Sequence, residues 1–178
     1  ATNKLVAEVS YWASSVDGST NVADYTTQVN APAFENSYAA GGYINITAGK
    51  ALTGNRELKA GDFSFKLVRQ NNNGEIDGVI TAVTGNLGTV NFATMYYSLA
   101  DLGGQDTATI HYVMSEVIPT NAKIPGVTYD TRSHDVYVKL TDNGNGTISA
   151  ELVNDAGEPV GSNHTGITFV NRYAPNEG

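Results

Sequence analysis

The stretch ITFVNRY, residues 167–173, is typical of a β-strand with one apolar face. Every second side chain of a strand points to the same side of the sheet, so Ile167, Phe169, Asn171 and Tyr173 share a face. Three of these side chains are apolar or aromatic and suit a hydrophobic core. The amide of Asn171 does not, so it needs specific partners if this face is buried.

Short alternating runs of the same kind recur along the chain, with clusters of turn residues such as NNNGEIDG and DNGNGT between them. This pattern predicts an all-β sandwich or barrel. One segment, YYSLADLGG at residues 96–104, is compatible with either a helical turn or a loop. The clearest alternating runs are FSFKL (63–67), IHYVM (110–114), DVYVKL (135–140) and TISAEL (147–152).

The composition favours a β-rich protein and excludes several kinds of site. Of the 178 residues, 16% are charged, the formal net charge is −8 and there is no cysteine. Disulfides and thiolate zinc sites are therefore excluded, and the negative charge argues against nucleic acid and anionic membrane surfaces as partners. His111, His134 and His164 lack metal-ligand spacing and are predicted to lie at the surface. We expect no metal site and no cofactor.

The chain contains an internal repeat of the Asn-bearing strand. TISAELVNDAG followed by ITFVNRY resembles KLVAEVSYWAS followed by APAFENSY, in which Phe34, Asn36 and Tyr38 repeat the spacing of aromatic, Asn and Tyr. The chain therefore reads as one complete repeat preceded by part of another. The predicted segments are the C-terminal strands of an incomplete preceding repeat (1–38), a linker (39–42), a complete domain (43–173) and the start of a linker or tail (174–178).

Two further polar residues occupy apolar registers. In YINITAGKALTG the alternation of Ile44, Ile46 and Ala48 continues to Lys50, and in IHYVMSEV the alternation continues to Glu116. Such a residue often sits at a strand end, where its polar head reaches water. A buried Lys–Glu ion pair with a hydrogen-bonded Asn is a second explanation, although removing both charges from water is costly.

A Lys, a Glu and an Asn in contact inside a core would also be capable of chemistry. Burial disfavours the charged forms of Lys50 and Glu116, and a neutral amine is a nucleophile. A protonated Glu116 could polarise the carbonyl oxygen of Asn171 and protonate its leaving nitrogen. The product would be an isopeptide bond between Lys50 and Asn171, formed once per molecule with loss of ammonia.

Several stretches together resemble the isopeptide-forming pilin repeat of Gram-positive surface proteins. They occur in the order of that family and span roughly residues 43–173. The stretches are GKALTGNRELKAGDFSFKL (49–67), IHYVMSEV (110–117), GVTYD (126–130), VYVKLTDNGNGTISAEL (136–152) and ITFVNRY (167–173).

The resemblance implies an Ig-like (CnaB/pilin-type) β-sandwich, preceded here by a truncated part of a similar repeat. It also implies a role for each polar residue. Lys50 would be bonded to Asn171, and Glu116 would catalyse the reaction. Asn36 resembles the electrophile of the preceding repeat and would stay unreacted unless another chain supplies its partners.

The resemblance further implies a structural stalk or shaft repeat of a pilus or surface adhesin, located outside the cell and attached to the cell wall. Neighbouring repeats of the same surface protein are its expected partners, with no nucleic acid and no membrane contact in this fragment. The sequence leaves open whether the parent is a polymerised pilin or a tandem-repeat adhesin. An alternative is a ligand-binding adhesin module for a host matrix protein or glycan. A turnover enzyme is disfavoured because the acidic residues are scattered through turns.

Overall fold

A computed structural model describes residues 35–71 and 76–175. The chain divides into two compact units, Ala1–Tyr38 and Ala39–Gly178, and the fold described below belongs to the second. The described residues form eleven β-strands and two short 3-10 helices, Asn86–Gly88 and Leu99–Leu102, and no α-helix. In this part of the chain no helix has the length and apolar character needed to cross a membrane.

The strands follow the turn-separated runs of the sequence. They are β1 (Gly41–Ile44), β2 (Thr47–Thr53), β3 (Ser64–Gln70), β4 (Ile76–Val83), β5 (Thr89–Asn91), β6 (Met95–Ser98), β7 (Thr107–Val117), β8 (Val127–Thr128), β9 (Ser133–Asp142), β10 (Ile148–Val153) and β11 (His164–Tyr173).

These strands form three sheets. A five-stranded antiparallel sheet has the order β10-β9-β7-β3-β4, a four-stranded sheet has the order β5-β2-β11-β8, and β1 pairs with β6. In the four-stranded sheet β2 and β11 run parallel, while the flanking pairs are antiparallel. A strand from the start of the domain therefore lies beside its last strand, with most of the chain between them.

The hydrophobic core lies between the five-stranded and four-stranded sheets. Alternate residues of the strands point into it, as Tyr112 and Met114 do on β7. Phe65 on β3 and Phe169 on β11 are both 0% exposed, and their ring centroids are 5.2 Å apart across the two sheets. This packing of two sheets confirms the predicted all-β sandwich.

Strand pairing places the inward-facing polar residues at one level of the sandwich. Lys50 on β2 pairs directly with Phe169 on β11. Phe169 lies two residues before Asn171 on the same strand. On the other sheet, Phe65 of β3 is the partner of Glu116 on β7. Because Phe65 and Phe169 meet across the core, this pairing brings Lys50 and Glu116 to the same depth.

The sequence analysis assigned residues 39–42 to a linker, but the first strand already begins within this segment. Gly41 and Gly42 are the first residues of β1. A Cβ atom added to Gly42 would lie 2.0 Å from the backbone oxygen of Ile148, so only glycine allows this close approach of β1 to β10. Asn36 is exposed in a segment without strand structure, and Phe34 of the same motif lies outside the described residues.

Two other details refine the sequence interpretation. The ambiguous segment 96–104 contains the end of β6 and a 3-10 helix, whose Asp101 accepts the backbone N–H of Ser98 at 2.8 Å. His134 is not a surface histidine as predicted. It occupies the inward register of β9, its ring packs edge-on against Phe169, and its buried Nε2 has no hydrogen-bond partner among the described residues.

Candidate functional site

Three polar side chains from three different strands meet inside the sandwich. Lys50 Nζ donates a hydrogen bond to Glu116 Oε2 at 2.7 Å. Asn171 Nδ2 donates to the other carboxylate oxygen, Glu116 Oε1, at 2.6 Å. Glu116 therefore bridges the amine and the amide, and the three residues selected by strand register form one cluster.

The cluster is buried, which excludes the explanation that these polar groups sit at strand ends and reach water. Lys50 is 5% exposed, Glu116 is 6% exposed and Asn171 is 0% exposed. The side chains of Lys50 and Glu116 have no exposed surface at all. Interactions between charges are much stronger here than in water, and so is the cost of keeping those charges.

Aromatic rings surround the amine. Lys50 Nζ lies 4.5 Å from the ring centroid of Phe63 and 5.9 Å from that of Phe65. Each ring offers its negative face to the ammonium but no hydrogen bond. These rings keep water away from Lys50, and Phe65 also packs against Phe169 on the strand that carries Asn171.

Burial lowers the pKa of Lys50 below its usual value. Desolvation is the largest cause, and it outweighs the hydrogen bond that Lys50 donates to Glu116 and the negative charges of Glu116 and Asp130, which act in the opposite direction. The neutral amine is therefore more accessible at Lys50 than at a surface lysine. A neutral amine carries the lone pair that a nucleophile requires.

The orientation of the Asn171 amide is determined by a backbone donor. The N–H of Asp130 points at the amide end of Asn171, with 2.7 Å between Asp130 N and Asn171 Oδ1. A backbone N–H can only donate, so the atom facing it must be the carbonyl oxygen. The amide nitrogen then faces Glu116. Both polar ends of Asn171 are thus held by partners suited to them.

Asp130 and Arg132 were not identified as site residues from the sequence, although Asp130 ends the quoted stretch GVTYD. The Asp130 carboxylate accepts hydrogen bonds from Arg132 Nε at 2.9 Å and from Arg132 Nη2 at 2.6 Å. It also accepts the backbone N–H of Val170, the neighbour of Asn171, at 2.9 Å. These bonds, with that of Arg132 as the largest cause, hold the pKa of Asp130 well below its usual range. Asp130 therefore remains ionised at neutral pH.

The arrangement has the parts of an acyl-transfer site: an amine, an amide carbonyl, a carboxyl group that touches both nitrogens, and a donor on the carbonyl oxygen. Asn36, the fourth predicted site residue, belongs to the first unit, and its role stays a prediction. His111 pairs with the carboxylate of Asp135, with 2.7 Å between His111 Nε2 and Asp135 Oδ1, and its ring stacks on that of Tyr137. The residues that the structure describes contain no group of three acidic or histidine side chains placed to hold a metal ion.

The chain is similar to one known protein family and to several solved structures. A family model described as FctA, Spy0128-like isopeptide containing domain, matches residues 46–174. Among solved structures, the major pilin from Streptococcus pyogenes is 20% identical with a TM-score of 0.41, and the match covers 74% of this chain and 50% of the pilin chain. Two mutants of that pilin, one with a glutamate and one with an asparagine replaced by alanine, are each 18% identical with TM-scores of 0.39 and 0.38 and the same coverage.

The chain thus spans about half the length of the solved pilin chains that it matches. No curated protein matches it. The family match covers well over half of the chain and includes Lys50, Glu116 and Asn171, and it confirms the family resemblance predicted from the sequence. The chain belongs to the Spy0128-like isopeptide containing domain family.

Proposed function

We propose that this domain is a structural stalk repeat of a Gram-positive pilus or surface adhesin, stabilised by an autocatalytic isopeptide bond between Lys50 and Asn171. The observation that carries the proposal is the position of Glu116, which contacts the nitrogens of both residues in a buried site. Membership of a pilin-type family supports the structural role. The domain would act outside the cell, in a protein attached to the cell wall, with neighbouring repeats as its partners.

The reaction begins with a proton moving from Lys50 to Glu116. Burial lowers the pKa of Lys50, so this lysine gives up a proton more readily than a surface lysine, and the carboxylate that it touches is placed to take that proton. The amine attacks the side-chain carbonyl carbon of Asn171, and the carbonyl oxygen becomes negative. Glu116 protonates the amide nitrogen, which leaves as ammonia while the carbonyl re-forms. Glu116 then takes the extra proton from the new amide nitrogen and ends as a neutral acid.

The reaction needs no cofactor and occurs once in each molecule. An amide is a poor electrophile, so a useful rate requires the reacting groups to be held together. Fixed geometry of this kind supplies effective molarities of about 10⁵ M or more. The fold supplies that geometry because β2 and β11 are neighbours in one sheet. Since Lys50 and Asn171 are consumed, the domain is not a turnover enzyme.

The position of the bond suits a protein that carries load. Lys50 and Asn171 lie on the parallel pair of strands near the two ends of the domain sequence. A covalent link between them passes tension from one strand directly to the other, so the intervening residues stay unloaded. The link closes a loop of about 120 residues, which the chain-entropy model values at about 5 kcal/mol. A reducing environment does not break an amide, in contrast to a disulfide.

Stretching the full chain between handles at its two ends tests this function. With the bond present, the roughly 120 residues inside the loop cannot extend, so unfolding releases about 420 Å less contour length than in Lys50→Met. Lys66→Met, which replaces an exposed lysine on β3, is the matched control and should behave as wild type. Equal contour lengths for wild type and Lys50→Met would contradict the proposal.

One surface feature favours the alternative function of a ligand-binding module. Tyr43 on β1 and Tyr96 on β6 are cross-strand partners with ring centroids 6.3 Å apart, and they are 64% and 77% exposed. Exposed aromatic faces of this kind suit stacking against a sugar ring. Binding to a glycan array that disappears in Tyr43→Ser and Tyr96→Ser, and persists in Lys50→Met, would favour this function.

A further inference from the structure

We propose that the backbone N–H of Asp130 is the oxyanion donor of the isopeptide reaction, and that the Asp130–Arg132 ion pair holds this donor in place. Asp130 and Arg132 are thereby assigned as positioning residues. The inference rests on the proposed function, since it concerns how the bond between Lys50 and Asn171 forms.

The contacts around the Asn171 amide are divided between Glu116 and the backbone of Asp130. Both oxygens of Glu116 are engaged with nitrogen atoms, one with Lys50 Nζ and one with Asn171 Nδ2. The carbonyl oxygen of Asn171 is instead hydrogen-bonded by Asp130 N at 2.7 Å. Negative charge develops on this oxygen when the amine attacks. A donor already aimed at that oxygen stabilises the transition state without reorganisation.

This division changes the role expected for Glu116 from the sequence alone. Glu116 was expected both to polarise the carbonyl oxygen and to protonate the leaving nitrogen. The geometry gives the first task to Asp130 N–H and leaves Glu116 with the proton transfers between the two nitrogens. The oxygen takes no proton in this scheme. Its negative charge is stabilised by the N–H until ammonia leaves and the carbonyl re-forms.

Several hydrogen bonds hold the Asp130 N–H in position. Asp130 belongs to the short connection between β8 and β9, and its carboxylate accepts the backbone N–H of Val170 on β11 at 2.9 Å. The same carboxylate accepts the backbone N–H of Arg132 at 3.0 Å and two bonds from its guanidinium. The connection is therefore tied to β11 next to Asn171 by both the backbone and the side chain of Asp130.

The negative charge of Asp130 is balanced by Arg132. An isolated carboxylate beside a developing oxyanion would oppose the reaction by like-charge repulsion. Arg132 lies against the Asp130 carboxylate, with 2.6 Å between Arg132 Nη2 and Asp130 Oδ2. This pairing neutralises the charge of Asp130 while keeping its hydrogen bonds to β11. The Arg132 side chain is 58% exposed, so it adds little to the core and can be replaced without creating a cavity.

The experiment follows bond formation in the 178-residue chain made by cell-free translation, with the loss of ammonia measured by intact mass over time. We expect Arg132→Ala and Asp130→Asn to lose ammonia about tenfold more slowly than wild type, or slower still, because misplacing one oxyanion donor is costly. Arg132→Lys should restore part of the rate, since it restores the positive charge. Arg69→Ala breaks another ion pair, with Asp101, and should leave the rate unchanged.

Each outcome has a distinct meaning. If wild type loses ammonia and folded Arg132→Ala loses it at the same rate, the oxyanion assignment is wrong and the isopeptide proposal stands. If wild type never loses ammonia, the proposed function fails and this inference fails with it. Circular dichroism of each sample shows whether the chain is folded. Should Asp130→Asn fail to fold, the exposed position of Arg132 still allows Arg132→Ala to decide the question.

Discussion

The nitrogen of Lys50 lies 2.7 Å from a carboxylate oxygen of Glu116, and neither side chain has any exposed surface. A pair in this environment has two fates. It can persist as a buried ion pair, stabilised by the amide of Asn171, or it can transfer its proton and react. The first fate leaves every atom in place, whereas the second releases one ammonia molecule from Asn171.

Removing the nucleophile should cost the domain the stability that the covalent link supplies. In Lys50→Met the link cannot form, and we expect the free energy of unfolding to fall by about 5 kcal/mol because the unfolded chain regains its loop entropy. For a domain of this size, that corresponds to a drop in melting temperature of roughly 15 °C. Calorimetry of the 178-residue wild type, Lys50→Met and the surface control Lys66→Met measures this drop. A drop of the same size in Lys66→Met would show that the loss of stability does not come from the missing covalent link.

Replacing Glu116 by Gln should block bond formation while keeping the shape of the site. Gln has an oxygen and a nitrogen where Glu has two oxygens, but it cannot accept the proton of Lys50 or deliver one to the leaving nitrogen. We expect Glu116→Gln to keep its full sequence mass after days at room temperature. Glu151→Gln, at an exposed position on β10, should lose ammonia as wild type does. Ammonia loss from Glu116→Gln at the wild-type rate would remove Glu116 from the mechanism.

The 3-10 helix Asn86–Gly88 supports the backbone of Lys50. Gly88 has a φ of +76°, and a Cβ atom there would lie 2.1 Å from the carbonyl oxygen of Lys50. Gly88→Ala should therefore displace β2 and slow bond formation, in addition to the cost of a positive φ. Gly61→Ala is the matched control, because the φ of Gly61 is +82° and a Cβ atom there meets nothing within 4 Å. Time-resolved intact mass separates the two variants, and equal rates would show that the contact is unimportant.

The ion pair of Asp130 should make stability depend on pH in the acid range. Arg132 lowers the pKa of Asp130 in the folded domain, so folding favours the ionised form. Its contribution is complete above the pKa of an unfolded aspartate, about 4, and is lost as the pH falls toward the folded pKa. In a Lys50→Met background, Asp130→Asn should cost about 2 kcal/mol at pH 7 and progressively less below pH 4. Urea unfolding between pH 3 and pH 7 measures this, and a pH-independent cost would contradict it.

The register of strands was sufficient to find Lys50, Glu116 and Asn171. Side chains alternate strictly along a strand, so a polar residue in an apolar run is visible without knowing the fold. Their convergence could not be derived in the same way. It depends on the parallel pairing of β2 with β11 and on the pairing of β3 with β7. The family resemblance supplied that part.

Asp130 and His134 show where sequence reasoning fails. Asp130 lies in a short connection that has no periodicity, and one of its contributions is a backbone N–H, which every residue except proline has. Its relevance appears only when that N–H is found beside Asn171 Oδ1. His134 was predicted at the surface because the sequence pattern placed it in an outward or boundary register. The pairing of β9 with β7 directs its ring inward against Phe169.

The assignments for residues 1–38 remain predictions, as do the exact limits of the domain. Asn36 is predicted to stay unreacted unless another chain supplies a Lys and a Glu to it. Intact mass is informative here too. Loss of a second ammonia molecule, or a covalent dimer on a denaturing gel, would contradict this and show that Asn36 finds partners.

The most direct test of the isopeptide bond is the intact mass of the purified 178-residue chain, measured beside Lys50→Met and Glu116→Gln. We predict that wild type is lighter than its sequence by one ammonia molecule, while both variants have their full sequence masses. Fragmentation should then locate this mass loss in a cross-linked peptide that contains Lys50 and Asn171. A wild-type mass equal to that of the sequence would contradict the account and leave Lys50, Glu116 and Asn171 as an unreacted buried cluster.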